Sequence, residues 1–331
     1  MHVLVIGGAG YIGSVTVEVL LDAGHRVTVF DDLSHGHLDA VDDRAALITG
    51  STHDAAALER AFAEPVDGVI NFAAFLSVGE SMAEPDRYFH NNVAGGINVL
   101  NAMLRHGVRR YVFSSTAAVF GEPEYVPLDE RHPLRPVNPY GESKLIVEQM
   151  LRWYDECHGL KSVALRYFNA SGATEQRGED HDPETHLIPI ILQVADGARP
   201  ALPLFGDDYP TPDGTCIRDY VHIADLAQAH ALALEYAETR SGRFNLGSGA
   251  GHSNREVIAA VQRVTGREIA IDQQPRRPGD PPALVAASDL ARRELGWRPR
   301  YTDLEAIVTS AWRWRQAHPH GYAGRDEREH A

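Results

Sequence analysis

Only two cysteines, Cys157 and Cys216, occur in 331 residues, and they stand far apart in the chain. That excludes a disulfide framework and a thiolate metal site, and it fits a reducing, cytoplasmic setting. Positive charge is also scarce: 31 lysines and arginines against 46 aspartates and glutamates leave a formal charge of −15. A nucleic-acid or anionic-membrane partner needs a net basic face, so neither is expected. No apolar run reaches membrane-spanning length, and Met1-His2 leads straight into a short apolar strand without the basic region of a signal peptide. The 17 histidines are scattered; His35 with His37, or His181 with His186, lack the spacing of a zinc helix, so no metal site is expected.

What is present is ample for a core: 44% of the residues are hydrophobic and 23% charged. In the first half, β-branched runs alternate with helical periods. Val3 to Ile6, Val27 to Phe30, Ala46 to Ile48, Gly68 to Phe72, Tyr111 to Ser114 and Ser162 to Arg166 read as strands. Tyr11 to Ala23, Asp86 to His106 and Tyr140 to Cys157 read as helices. Such alternation implies an α/β fold with a doubly wound parallel sheet. After Asn169 the chain turns to loops rich in Gly, Pro, His and Asp, with helices at Leu187 to Ala195 and Ile223 to Tyr236. A smaller mixed α/β domain is expected over 170–331, some of its segments returning to the first sheet, and a charged mobile tail over 324–331.

Gly7-Gly8-Ala9-Gly10-Tyr11-Ile12-Gly13 lies between the first strand and the first helix, where backbone amides and a helix N-terminus can meet a pyrophosphate. Asp31 ends the second strand, placed to accept hydrogen bonds from a ribose and to repel a 2′-phosphate, which favours NAD over NADP. Tyr140 and Lys144 are four residues apart behind Pro139 and so share one helix face. A phenol is a poor base at neutral pH, but a neighbouring ammonium and a positive nicotinamide both favour its phenolate. The segment Ser114 to Gly121 leaves the end of a strand, where ligands bind in doubly wound sheets, and Thr116 there can hydrogen-bond a reacting oxygen.

With these elements in place, the chain resembles the UDP-glucose (UDP-galactose) 4-epimerases of the extended short-chain dehydrogenase/reductase superfamily over nearly its whole length. Further motifs carry the resemblance: Val78-Gly79-Glu80-Ser81, Asn91-Asn92-Val93, Leu165-Arg166-Tyr167-Phe168-Asn169 and Phe205 to Thr211. So do Asp213-Gly214-Thr215, Arg218 to His222, Asn245-Leu246-Gly247 and Arg276-Arg277-Pro278-Gly279-Asp280. The resemblance implies a Rossmann-type NAD domain over 1–169 carrying the catalytic residues, a mainly UDP-sugar-binding domain over 170–331, and a homodimer. It implies Tyr140 as the base at the 4-hydroxyl, Thr116 as its hydrogen-bonding partner, and Lys144 holding the nicotinamide ribose and lowering the Tyr140 pKa. Against the cofactor it sets Gly7, Gly10, Tyr11, Ile12, Gly13, Asp31, Phe72, Ala73, Asn91, Ser114, Tyr140, Lys144 and Tyr167. Against the substrate it sets Thr116, Asn169, His186, Leu187, Phe205, Arg218, Arg277 and Asp280, with Phe205 on uracil and the arginines on the diphosphate.

Three positions depart from the family pattern. Ser51 stands where an Asp commonly lies near the adenine, the lysine often found before Val78 is absent, and Leu284 stands where an aromatic in some members narrows the sugar pocket. Leu284 raises the expectation of tolerance for N-acetylhexosamines. Rival readings are another nucleotide-sugar 4-epimerase, a 4,6-dehydratase, a decarboxylase or uronic-acid epimerase, and a non-catalytic NAD-sensing regulator. Ala117 and Ala118 oppose the dehydratase, whose relatives carry an Asp-Glu pair there, because methyl groups transfer no protons. The intact Thr116/Tyr140/Lys144 set opposes the regulator.

Overall fold

The computed structural model describes residues 1–277 and 279–324. The tail expected to be mobile falls, from residue 325 on, outside the described residues, as does Pro278 of the arginine-rich motif. In chain order the strands are β1 (His2–Ile6), β2 (Arg26–Asp31), β3 (Ala46–Thr49), β4 (Gly68–Asn71), β5 (Arg110–Thr116), β6 (Lys161–Tyr167), β7 (Asn169–Ser171), β8 (Leu202–Phe205), β9 (Ile217–His222), β10 (Gly242–Leu246), β11 (Gly251–Ser253), β12 (Ile271–Gln274) and β13 (Ala283–Leu284). The helices are α1 (Tyr11–Asp22), α2 (Ala55–Ala61), α3 (Val78–Ala83), α4 (Pro85–Tyr88), α5 (Gly95–Arg105), α6 (Pro139–His158), α7 (Leu187–Ala195), α8 (Ile223–Tyr236), α9 (Asn254–Thr265), α10 (Asp289–Glu294) and α11 (Leu304–Ala317).

Seven strands form one parallel sheet in the order β10-β6-β5-β4-β1-β2-β3. Alternation along β1 shows why both faces must be covered. Val3 and Val5 pack with α1 and α8, through Val17, Leu20, Leu226 and Ala229. Leu4 and Ile6 pack on the opposite face with α2, α5 and α6, through Leu58, Leu100, Met103 and Val147. Strands buried on both faces read as continuous apolar runs, as these do. The winding direction reverses between β1 and β4, and in such sheets ligands bind outside the carboxyl ends of the strands at that reversal.

The edge strand β10 and the helix α8 come from beyond residue 169, so the later sequence does cross back to the first sheet. Of the other later elements, α7, α9, α11 and β8 build a separate apolar cluster. Strand β9 there pairs with β7, β11 and β13. The helix expected over Asp86 to His106 is instead interrupted. Residues Phe89–Ala94 form a π-helical stretch between α4 and α5. This widening lets Asn92 bridge three segments: it accepts from Phe75 N at 2.9 Å and donates to Phe75 O at 3.1 Å and to Ser143 Oγ at 3.0 Å.

Candidate active site

The Gly-rich turn is built by close approach. Gly7 has φ of +75°, which favours glycine, and a Cβ on Gly13 would stand 2.0 Å from the Gly7 carbonyl oxygen. The first turn of α1 therefore lies directly on the end of β1, and its N-cap, Gly10, offers no side chain to satisfy the helix amides. Asp31 holds the neighbouring strand end: its carboxylate accepts from Ala9 N and Leu33 N, each at 2.9 Å. Burial raises its carboxyl pKa while those two amides oppose the rise.

Across the cleft, the Asn138 side chain caps α6 by accepting from Gly141 N at 2.8 Å, and Pro139 occupies the first turn. A Cβ on Gly141 would stand 2.6 Å from the Ala118 carbonyl oxygen, so the start of α6 is pressed against the chain leaving β5. That approach brings Tyr140 to Thr116. Desolvation in the cleft wall raises the Tyr140 phenol above its ordinary pKa, and its hydrogen bond with Thr116 lowers it in part. Lys144 is only 3% exposed; its ammonium donates to Ser114 O at 2.8 Å and lies 4.9 Å from the Phe113 ring centroid. Burial pushes the lysine down to about 7. Burial therefore disfavours charge on both groups. Tyr167 and Ser114 share a short hydrogen bond next to this pair.

All thirteen residues expected at the cofactor line one cleft of about 470 Å³, from Gly7, Gly10, Tyr11, Ile12 and Gly13 through Asp31, Phe72, Ala73 and Asn91 to Ser114, Tyr140, Lys144 and Tyr167. Its floor fits a dinucleotide: a glycine cradle that Cβ atoms would fill, a carboxylate at the β2 end, and a buried lysine beside a tyrosine. Of the residues expected at the substrate, Thr116, Asn169, His186, Arg218 and Asp280 line the same cleft, as does Leu284. Arg218 is held by Asp280 at 2.7 Å and donates to Pro281 O at 2.9 Å. Asn169 Nδ2 donates to Asp219 O at 2.9 Å.

Three expected substrate contacts are not brought to the cleft lining: Leu187, Phe205 and Arg277. Leu187 packs with the cluster around α7 and α9, because α7 is apolar on nearly every side. The Arg277 guanidinium lies over the Phe205 ring, 3.9 Å from its centroid, so these two satisfy each other. Ser51 lines an adjoining hollow with His53 and His90 rather than the main cleft. Two buried acids were missed as site supports. Glu148, one turn beyond Lys144, accepts from Ser115 Oγ at 2.6 Å and from Arg166 Nε at 2.9 Å. Asp219, fully buried, accepts from the amides of Ser248, Gly249 and Ala286. An i,i+4 spacing from Lys144 was the only available signal for Glu148, and for Asp219 it was its place inside the Arg218 to His222 motif. His186, expected at the substrate, lines the cleft together with Glu179 and with His181, for which no role was expected.

A doubly wound sheet with a glycine cradle at its reversal and a buried Tyr/Lys pair facing it defines an enzyme that works through a bound dinucleotide. Residues 3–247 match the model of the NAD dependent epimerase/dehydratase family. The chain is 52% identical to a UDP-glucose 4-epimerase of Lacticaseibacillus casei over 331 residues, covering 98% of this chain and 100% of the relative. Among solved structures it is similar to the UDP-glucose 4-epimerase of Brucella ovis in complex with NAD, with TM-score 0.91 and 45% identity over 94% of this chain and 97% of that one. It is also similar to the UDP-glucose 4-epimerase of Bifidobacterium longum in complex with NAD+ and UDP, with TM-score 0.93 and 37% identity over 97% and 100%. The chain belongs to the NAD dependent epimerase/dehydratase family. Among the described residues no helix is long and apolar enough to cross a membrane.

Proposed function

We propose that this chain interconverts UDP-glucose and UDP-galactose by inverting carbon 4 through a transient 4-keto sugar. The observation that carries the reading is the cleft's reactive set: Tyr140, Thr116 and Lys144 converge, while the next two side chains, Ala117 and Ala118, are methyl groups that also line the cleft. Oxidation and return at one carbon need a single base, whereas loss of water needs a further acid and base that these alanines do not supply. NAD, when bound, supplies the hydride acceptor and donor at carbon 4. Tyr140 takes the proton of the 4-hydroxyl and later returns it, and Thr116 donates a hydrogen bond to the same oxygen. Lys144 holds the nicotinamide ribose and lowers the Tyr140 pKa.

The glycine turn with Asp31 grips the adenosine half, and Phe72, Ala73, Asn91, Ser114 and Tyr167 complete the cofactor wall. Residues 1–169 thus serve mainly the cofactor and 170–331 mainly the UDP. Asn169, His186, Arg218 and Asp280 anchor the nucleotide; Leu187, Phe205 and Arg277 are the further contacts that the family resemblance implies, with Phe205 against uracil. A firmly held nucleotide and a loosely held hexose allow the ketone to present both faces to one hydride donor. A second reading, action on UDP-N-acetylhexosamines as well, is favoured by the aliphatic Leu284 in the cleft wall. Activity on UDP-glucose with none on UDP-N-acetylglucosamine would sink it. A cytoplasmic homodimer is the accompanying expectation, read by light scattering on the purified chain.

The test is incubation with UDP-galactose, without added reductant, beside a Tyr140→Phe control, with the UDP-sugars resolved by chromatography. UDP-glucose from the wild type, and about 10²–10⁴-fold less from the variant, is expected. A 4-keto-6-deoxy product or unchanged sugar overturns the proposal.

A further inference from the structure

The connection between β7 and α7 gathers Glu179, His181, Glu184 and His186, four side chains that the proton and hydride steps of epimerisation do not use. One potential ligand atom from each lies within 4.8 Å of the corresponding atom of every other. The closest pairs centre on Glu179: its Oε1 lies 2.6 Å from His186 Nδ1 and 3.3 Å from His181 Nδ1. His186 Nδ1 is also 3.2 Å from Glu184 Oε1.

Within the cluster His186 Nδ1 meets Glu184 Oε1 in a hydrogen bond and lies against Glu179 Oε1 as an ion pair. The side chains of Glu179 and Glu184 are 7% and 4% exposed. Yet Glu179 Oε1 and His181 Nδ1 are both buried and have no hydrogen-bond partner among the described residues. Buried polar atoms are nearly always satisfied, so these two, 3.3 Å apart and with only the charge of His186 beside them, require an explanation. A cation between them supplies it. Two carboxylates and two neutral imidazoles balance the charge of a divalent ion, and metal–ligand distances of about 2.0–2.2 Å place tetrahedral ligands about 3.3 Å apart; the Glu179–His181 and Glu184–His186 pairs stand at 3.3 and 3.2 Å, while Glu179 and His186, at 2.6 Å, have to part for an ion to enter. Imidazole ligands favour zinc and its first-row neighbours over magnesium or calcium.

We propose that Glu179, His181, Glu184 and His186 form a binding site for a divalent first-row transition ion, zinc being the best fit. Its role is structural. The amides of Thr185 and His186 donate to Glu184 Oε1 at 2.7 and 2.8 Å, orienting that carboxylate as an outer shell does. The His181 ring meets Tyr11 edge-on at 6.1 Å, and the Tyr11 hydroxyl donates to Gly172 O at 2.5 Å. An ion therefore staples the β7–α7 connection beside the first turn of α1 at the cleft wall. Ligation through Nδ1 leaves Nε2 of His186 for the substrate contact proposed above.

The test uses the full chain with its NAD, stripped with a chelator and titrated with zinc against a chromophoric competitor. One zinc per chain, a higher melting temperature on loading, and at least about tenfold weaker binding in a His181→Ala/His186→Ala double variant are expected. Equal affinity in wild type and variant, or no competition at all, overturns the site. Crystals of the zinc-loaded wild type decide the matter should the variant fail to fold. An anomalous peak among the four side chains supports the proposal, and its absence there, with or without a peak elsewhere, refutes it.

Discussion

Glu148 offers the sharpest test of how the active site is held. It sits on α6 one turn past Lys144, is 1% exposed, and faces Arg166 of β6, also 1% exposed. Its two oxygens accept from Arg166 Nε at 2.9 Å and Nη2 at 2.6 Å, and Oε1 also accepts from Ser115, the neighbour of Thr116. Glu148→Ala strands a guanidinium in the core with its Nη1 already unpartnered among the described residues. Breaking one side of such a buried pair costs about 3–5 kcal/mol, chiefly because the other charge is left uncompensated. Arg243, 3.4 Å from the same carboxylate, loses its partner too, but its side chain is 45% exposed and adds little. Unfolding entropy of about 2.1 cal/mol/K per residue gives roughly 0.7 kcal/mol/K for 331 residues, so the melting temperature should fall by about 4–7 °C. Calorimetry measures this, and chromatographic assay should show kcat falling with it, since Ser115, the neighbour of Thr116, loses its bond to the helix that carries Lys144. Glu148→Leu combined with Arg166→Met removes both charges and should recover most of the stability. The reasoning is refuted if the single variant costs less than about 1 kcal/mol, or if the double variant is no more stable than the single.

Lys144→Met removes the charge that assists Tyr140, so the acid limb of the kcat/KM profile should move to higher pH; an unmoved limb would detach the lysine from the tyrosine's ionisation. Gly13→Ala places a Cβ 2.0 Å from the Gly7 carbonyl oxygen and should force α1 off the turn, costing about 1–3 kcal/mol and lowering the NAD released on denaturation. Undiminished NAD content would show that the close approach is not needed for the cofactor. His222 and His230 are both held near 4 by burial. The unfolded chain therefore binds more protons than the folded one between about pH 6.5 and 4, so stability present above 6.5 is lost as pH falls through that window. Urea midpoints at pH 7 and 4.5 should differ more for wild type than for His222→Gln or His230→Gln; equal differences would point to other groups.

Much of this fold was readable because the signals were local. Val3 to Ile6 is apolar at every position, as a strand covered on both faces must be, and the glycines follow it directly. The interrupted helix at Phe89–Ala94 was not readable, because the bonds that go with it run from Asn92 to Phe75 and Ser143, two segments remote in the chain. Helices α9 and α11 went unnoticed although α9 begins with a capping box at Ser253 and Glu256. Their apolar faces have meaning only against α7 and β8, which they cover.

The sequence by itself determined the doubly wound class, the glycine turn, the carboxylate at Asp31 and the Tyr140/Lys144 pair. Each of these lies within one strand, one turn or one helix face, where backbone geometry turns spacing into position. Only the tertiary structure decided which acids support the site, that Arg277 lies on Phe205, and that Gly242–Leu246 joins the sheet edge. It alone turned scattered histidines into a cluster with Glu179 and Glu184. Those outcomes depend on side-chain direction in loops and on contacts between remote segments, and residue spacing specifies neither.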